Sequence, residues 1–199
     1  MNPLPPNGYT ILPPGKLANS VTWLDMHAPF PSRRPKPRTG LSLVPIRGAE
    51  AARYREIYAV LAHRWLWAGR LQMDPADLAR MLDNRDVLAF ALVDKGADAG
   101  LLELDFRETG VAELAYFGIF DRLIGQGAGA WLLQAAIGEV EKRGVPRFLV
   151  HTCNFDHPGA LGFYRASGFV PCQTGFEIMD DPRRTGILPV DAAPHVPLL

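Results

Sequence analysis

The run VAELAYFGIFDRLIGQGAGAWLL (111–133) narrows the possible folds more than any other part of the chain. An apolar, strand-like pattern runs into Gly125, Gly127 and Gly129, and the sequence then turns helical in its apolar spacing. Strand, glycine turn and helix together hold phosphate well: backbone can approach the oxygens, N–H groups point inward, and the helix N-terminus adds partial positive charge. The turn is not a Walker A loop, because the G-K-[ST] ending is missing and Gly129 is followed by Ala130 and Trp131. Gly125, Gly127 and Ala130 satisfy the dinucleotide fingerprint G-x-G-x-x-A, but His151 and Thr152 stand where that fold puts its ribose carboxylate, about 20 residues on. The segments before the glycines also argue against it. VLAFALVD (87–94), GLLELDFR (100–107) and VAELAYFGIF (111–120) are joined by turns too short for anything but an antiparallel meander.

The remaining pattern completes an α/β chain. LSLVPI (41–46) reads as a strand, and 48–71 as one helix with Tyr54, Ile57, Tyr58, Leu61, Trp65 and Ala68 on its apolar side. A second helix over 74–84 starts from Asp74 as N-cap and Pro75 as first helical residue. After the glycines come a helix from about Gly127 to Arg143, a buried strand RFLVHT (147–152), a short helix (158–167) and a last, bulged strand (168–180). Residues 1–40 form a proline-rich arm, in which LANSVTWLDM (17–26) is either a strand or a solvated linker, and SRRPKPR (32–38) reads as a solvated loop. Residues 41–180 form the domain. The proline-rich tail 181–199 has few core positions.

The 21 Lys+Arg balance the 21 Asp+Glu, which argues against nucleic acid or an acidic membrane surface as partner and for a small molecule. Cys153 and Cys172 are far apart, and the first ten residues lack the basic-then-apolar pattern of a secretory signal, so a cytoplasmic protein with reduced thiols is expected. No apolar run approaches the roughly 20 residues that span a bilayer. His151, Cys153 and His157 lack a fourth ligand and a zinc-type spacing, so no metal is expected.

Two blocks, ELAYFGIFDRLIGQGAGAWLL and HPGALGFYRASGF, together with the element order over 41–180, resemble the GNAT superfamily of acetyl-CoA-dependent N-acetyltransferases. The resemblance implies a mixed, mostly antiparallel sheet with splayed central strands flanked by helices. It implies acetyl-CoA as cosubstrate and direct transfer of the acetyl group to the primary amine of a small substrate. The family turn, [RQ]-x-x-G-x-[GA], fits Arg122 to Gly127 literally, but Gly129 stands three residues before Leu132–Leu133 as the last glycine does in relatives. In that second register Ile124 replaces the usual arginine or glutamine, and Gly125, Gln126, Gly127, Ala128, Gly129 and Ala130 wrap the pyrophosphate. Loss of one side-chain cation leaves the backbone donors in place.

The same resemblance assigns the main chain of Phe117, Gly118 and Ile119 to the pantetheine arm, with Gly118 marking a bulge. Glu113 matches the family's general base; Glu103 is a second candidate, and an outward-facing surface charge is the other reading of Glu113. Tyr164 matches the general acid, or is a core aromatic of its helix. His157 stands in place of an asparagine that contacts pantetheine and is a secondary catalytic candidate. Trp65, Trp67 and Arg70 are expected to wall the acceptor pocket, and a homodimer is open. A catalytically silent acyl-CoA-binding sensor and an enzyme with a longer acyl donor are the alternatives. Relatives end in a two-stranded hairpin, whereas this chain has one strand and then the tail, so 17–26 is expected to supply the missing strand.

Overall fold

The computed structural model describes residues 7–31 and 39–198; the basic cluster 32–38 lies outside them. Seven strands form one sheet: β1 (Lys16–His27), β2 (Leu41–Ile46), β3 (Val87–Asp94), β4 (Ala97–Asp105), β5 (Val111–Ile119), β6 (Arg147–Cys153) and β7 (Val170–Asp180). Their spatial order is β2-β3-β4-β5-β6-β1-β7. All neighbours are antiparallel except β5 and β6, which the crossover helix α4 (Ala128–Lys142) joins in parallel. The mixed α/β sheet and the antiparallel meander are as expected from the sequence.

β1 is the strand found within the proline-rich arm. It pairs with β6 through Val21–His27 and with β7 through Lys16–Asp25, so β7 reaches the sheet only through it. The alternation expected of a sheet interior accounts for this placement. Leu24 and Met26 enter the core beneath α4, while Asn19, Val21 and Trp23 occupy the other face. Opposite Trp23 and Leu24 the register slips past Cys172, which is the bulge expected of the last strand.

Two cores flank the sheet. α4 and α5 (Ala160–Ala166) cover one face around Leu104, Leu132, Ile137, Phe148 and Phe169. α1 (Ala51–Trp65) and α3 (Pro75–Asp83) cover the other around Tyr54, Tyr58, Leu78 and Leu101. Asp74 caps α3 by accepting the Ala76 N–H at 2.8 Å, as its position ahead of Pro75 predicts.

Three expectations are corrected. The helix expected over 48–71 is a 3-10 turn (Gly48–Glu50), then α1, then a break at Leu66 in left-handed conformation (φ 57°), then the single turn α2 (Gly69–Gln72). On one continuous helix residues 65 and 67 would point roughly 200° apart; the break lets both tryptophans face the same cavity. The bulge of β5 lies at Ala115, which the register skips between Leu114 and Tyr116, and Gly118 pairs regularly with Leu101. Gly118 has a different purpose: a Cβ there would lie 2.7 Å from the Leu61 Cδ1 atom, so glycine lets α1 seat on the sheet.

The tail is also better packed than its composition suggests. Leu188, Ala192, Ala193 and Val196 join the core under α1, and the Ala193 N–H donates to the His63 carbonyl at 2.8 Å. Arg183, 4% exposed, holds it: the guanidinium bonds both Asp181 oxygens at 2.9 and 2.7 Å and the carbonyls of Ala192, Val196 and Pro197. A guanidinium has five donors; here the Asp181 carboxylate takes two and backbone carbonyls of the tail take three. No helix among the described residues is long and apolar enough to cross a membrane.

Candidate active site

β5 and β6 pair only through Val111, Ala112 and Glu113 and then diverge. A cavity of about 1160 Å³ opens along the divergence. Residues 114–119 of β5 form one wall, and main-chain groups facing the vanished partner strand are left for a ligand. Phe117, Gly118 and Ile119 belong to that wall.

At one end of the cavity stands the glycine turn. Gly125 and Gly127 have φ of 74° and 80°, which side chains disfavour, and a Cβ on either would meet nothing within 4 Å. The space before the turn is open. The first intrahelical bond of α4 runs from Trp131 N–H to Gly127 O at 3.1 Å, so the N–H groups of Ala128, Gly129 and Ala130 precede any partner in their own helix. These donors and the helix dipole suit a diphosphate. Ile124, Gly125, Gly127, Gly129 and Ala130 line the cavity. Gln126 and Ala128 do not line the cavity with their side chains: the Gln126 amide donates back to the Arg122 carbonyl at 2.6 Å, and the Ala128 methyl is fully buried, so Ala128 would contribute through its backbone N–H alone. Arg122 is turned away, donating to the Asp98 carbonyl at 3.1 Å.

Tyr164 projects from α5 into the cavity from the α4 side, packed among Phe117, Phe163 and Phe169. Burial, with the Asp156 charge adding to it, pushes its hydroxyl well above the ordinary phenol range, and the proton stays on the oxygen at neutral pH. No hydrogen bond to a described residue engages that hydroxyl. His157, in the loop between β6 and α5, lines the cavity; its Nδ1 accepts the Gly159 N–H at 2.9 Å, and its ring meets the edge of Trp65.

The opposite side of the sheet brings His151. Its ring lines the cavity, and Nδ1 lies 3.5 Å from Glu113 Oε1 at the last paired rung of β5 and β6. The hydrogen bond to Glu113 raises the imidazole above its ordinary value against the opposing effect of burial, and the charges of Asp156 and Glu177 raise it further. Glu113 itself does not line the cavity; it stands behind the histidine, at the edge of a shallow hollow beside Asp105 and Arg107.

Glu103, the second candidate base, is 0% exposed. Arg70 grips it through Nη2 at 2.5 Å and Nε at 3.3 Å, and the Tyr54 hydroxyl donates to it as well. Burial alone would lower the Arg70 pKa, but the bonds to Glu103 outweigh it and raise the guanidinium. Neither Glu103 nor Arg70 lines the cavity, so Arg70 is not the pocket wall the sequence suggested. The pair is a buried strut that ties α2 to β4.

Trp65 and Trp67 do wall the cavity. The Trp67 indole N–H donates to Asp156 at 3.1 Å, and Asp156 also accepts from the Thr152 hydroxyl and the Cys153 N–H, both at 2.9 Å. One carboxylate therefore pins the break after α1 to the end of β6. Burial pushes the Cys153 thiol up to about 11, far from a nucleophilic thiolate. Trp65 is braced from outside by His195 of the tail, whose Nε2 lies 3.2 Å from the Phe155 carbonyl. Sequence reasoning missed His151 as the partner of Glu113, and missed Asn19, Trp23 and Glu177, which line the cavity from β1 and β7. The pattern VHTC does put His151 and Cys153 on one face of a strand, but only the sheet order shows that the face looks into the cavity.

A family profile described as "Acetyltransferase (GNAT) family" matches residues 53–169. A search of curated protein sequences finds no match. Among solved structures, a functionally unknown conserved protein from Staphylococcus epidermidis superposes with TM-score 0.64 at 14% identity, covering 84% of this chain and 63% of its own. A GCN5-related N-acetyltransferase from Kribbella flavida gives TM-score 0.56 at 20% identity, covering 84% of this chain and 60% of its own. An aminoglycoside acetyltransferase from an uncultured soil metagenomic sample, solved with trehalose, gives TM-score 0.56 at 16% identity, covering 64% of this chain and 87% of its own. The chain thus spans less than two thirds of the first two solved proteins. At these identities the likeness is one of fold.

Proposed function

The chain belongs to the acetyltransferase (GNAT) family, and from that premise we propose that it transfers the acetyl group of acetyl-CoA directly to the primary amine of a small acceptor. One observation carries this reading: a proton donor, Tyr164, and a proton acceptor, His151 backed by Glu113, meet the same cavity from opposite faces of the sheet, beside the unpaired backbone of β5. The cosubstrate supplies an activated thioester carbonyl. The glycine turn and the N-terminus of α4 hold its diphosphate, and residues 114–119 of β5 take its amide arm by strand-like pairing.

Amine acylation needs a neutral nitrogen and a protonated leaving group. His151 takes a proton from the ammonium, and Glu113 steadies the imidazolium that results. The nitrogen lone pair forms the new C–N bond as the C–S bond breaks and the departing thiolate takes the Tyr164 proton; the new amide nitrogen then gives up its second proton, which restores the Tyr164 phenol, and His151 passes the first to solvent. Burial suits Tyr164 to this step, because it keeps the phenol protonated until a strong local base appears. Glu113 is in this account a positioning residue, and His151 the base. Asp156 fixes the walls and leaves the chemistry to its neighbours.

The experiment is release of free thiol from acetyl-CoA across a panel of primary amines. Wild type turns over; Tyr164→Phe keeps coenzyme affinity and loses about 100-fold in kcat, and His151→Gln loses a similar factor. Acetyl-CoA binding with no thiol release on any amine favours a silent sensor and overturns the proposal.

A further inference from the structure

We propose, resting on the amine-acceptor reading above, that the acceptor carries a second cationic nitrogen, held by Glu177 and Asn19 over the face of Trp23. The charge of the cavity points this way. Its lining contains the carboxylates of Asp156, Glu177 and Asp180 and, among the described residues, no Lys or Arg. Two of these carboxylates are already satisfied: Asp156 by three donors, and Asp180 by Lys16 Nζ at 2.7 Å. Glu177 is different. Among the described residues a single neutral donor, the Asn19 amide, reaches its Oε2 at 3.1 Å, and no cation pairs with it.

Asn19 supplies the second observation. It is 5% exposed, lines the cavity, and its Oδ1 is buried without any hydrogen-bond partner. A buried carbonyl oxygen left so is costly unless a donor arrives. Beside an unneutralised carboxylate, the donor that satisfies both is an ammonium group, which has three N–H bonds and a positive charge.

Trp23 connects this point to the reacting centre. His151 of β6 pairs with Trp23 of β1, and farther along β1 on the same face Val21 and Asn19 pair with Gly175 and Glu177 of β7. The indole lies 6.2 Å from the His151 ring. Its far edge extends over Gly175, where a Cβ would sit 3.1 Å from Cζ3. The ring therefore runs from the base toward Glu177 as a continuous apolar and π surface. An acceptor with its nucleophilic amine at His151, an aliphatic chain along the indole and a second ammonium at Glu177 matches this surface group by group. A monoamine leaves the Glu177 end unanswered.

The test compares 1,5-diaminopentane with pentylamine, in turnover with acetyl-CoA and in binding to the protein with coenzyme A, read by tryptophan fluorescence. The proposal expects the diamine to be favoured by about tenfold in kcat/KM and in affinity, mainly through KM. Glu177→Gln and Asn19→Leu should each bring that ratio toward one. Equal behaviour of the two amines in wild type overturns it, as does a preference that survives Glu177→Gln. If neither amine is acetylated, the transfer reading fails on its own, and the binding ratio still decides this proposal.

Discussion

Removal of residues 1–27 should unfold the protein or nearly so. β1 is the link between β6 and β7, and β7 has no other neighbour in the sheet. Deletion strips Val21, Leu24 and Met26 from the core, each less than 5% exposed. At about 1.5–3 kcal/mol per side chain, the loss is about 5–9 kcal/mol before the two broken ladders are counted. A domain of this size has about 5–15 kcal/mol in all. Thermal unfolding followed by circular dichroism should show either no cooperative transition or a Tm at least about 10 °C lower. A synthetic peptide of residues 16–27 added in excess should restore part of the transition, because the vacated slot has two sheet edges ready to pair. A truncated chain that melts cooperatively within a few degrees of the full protein would refute the argument that the arm belongs to the fold.

Other consequences follow from single groups. Arg183→Ala leaves Asp181, 2% exposed, without its counter-charge and should cost about 3–5 kcal/mol. Because Arg183 holds the Asp181 pKa below the ordinary carboxylate value, this stabilisation is complete above that value and is lost as pH falls through the depressed one. Wild-type and variant melting curves should therefore converge in acid, and a gap that persists there would argue against the ion pair. His151 must be neutral to act as base, and Glu113 raises its pKa, so the rising limb of kcat/KM against pH should lie above the ordinary imidazole value. In Glu113→Gln the limb should move to lower pH, with kcat at high pH less affected; an unmoved limb would assign the base elsewhere. Gly118→Ala places a methyl 2.7 Å from Leu61 and 3.2 Å from the Trp67 ring, and should cost about 1–3 kcal/mol while raising KM for the acceptor. Calorimetry with steady-state kinetics checks both.

The meander, the crossover helix and the glycine turn were legible in the sequence because each is a local signal: alternation, 3.6-residue spacing, short turns. The cap at Asp74 was legible for the same reason. The break at Leu66 was not, since a leucine in left-handed conformation carries no mark in the sequence and is held there by burial and by the packing of the two tryptophans. Composition misled about the tail, where prolines conceal Arg183 and the apolar residues it anchors. At the site, family spacing pointed to Tyr164 and the turn, and both border the cavity. Glu113 was noticed, but its role depends on His151, two residues past its rung partner Leu149 on the parallel strand, a neighbour that appears only when the two strands are laid side by side. Asn19, Trp23 and Glu177 depend on β1 lying between β6 and β7, a long-range placement that local pattern does not encode.

The structure of the protein with coenzyme A bound decides whether the divergence of β5 and β6 is the coenzyme site. The diphosphate is expected on the N–H groups of residues 128–130, the amide arm paired to β5 between residues 114 and 119, and the sulfur within hydrogen-bond reach of the Tyr164 hydroxyl with His151 open on the other side of the sheet. Coenzyme seated outside the divergence of β5 and β6, or with its sulfur away from Tyr164, would contradict it.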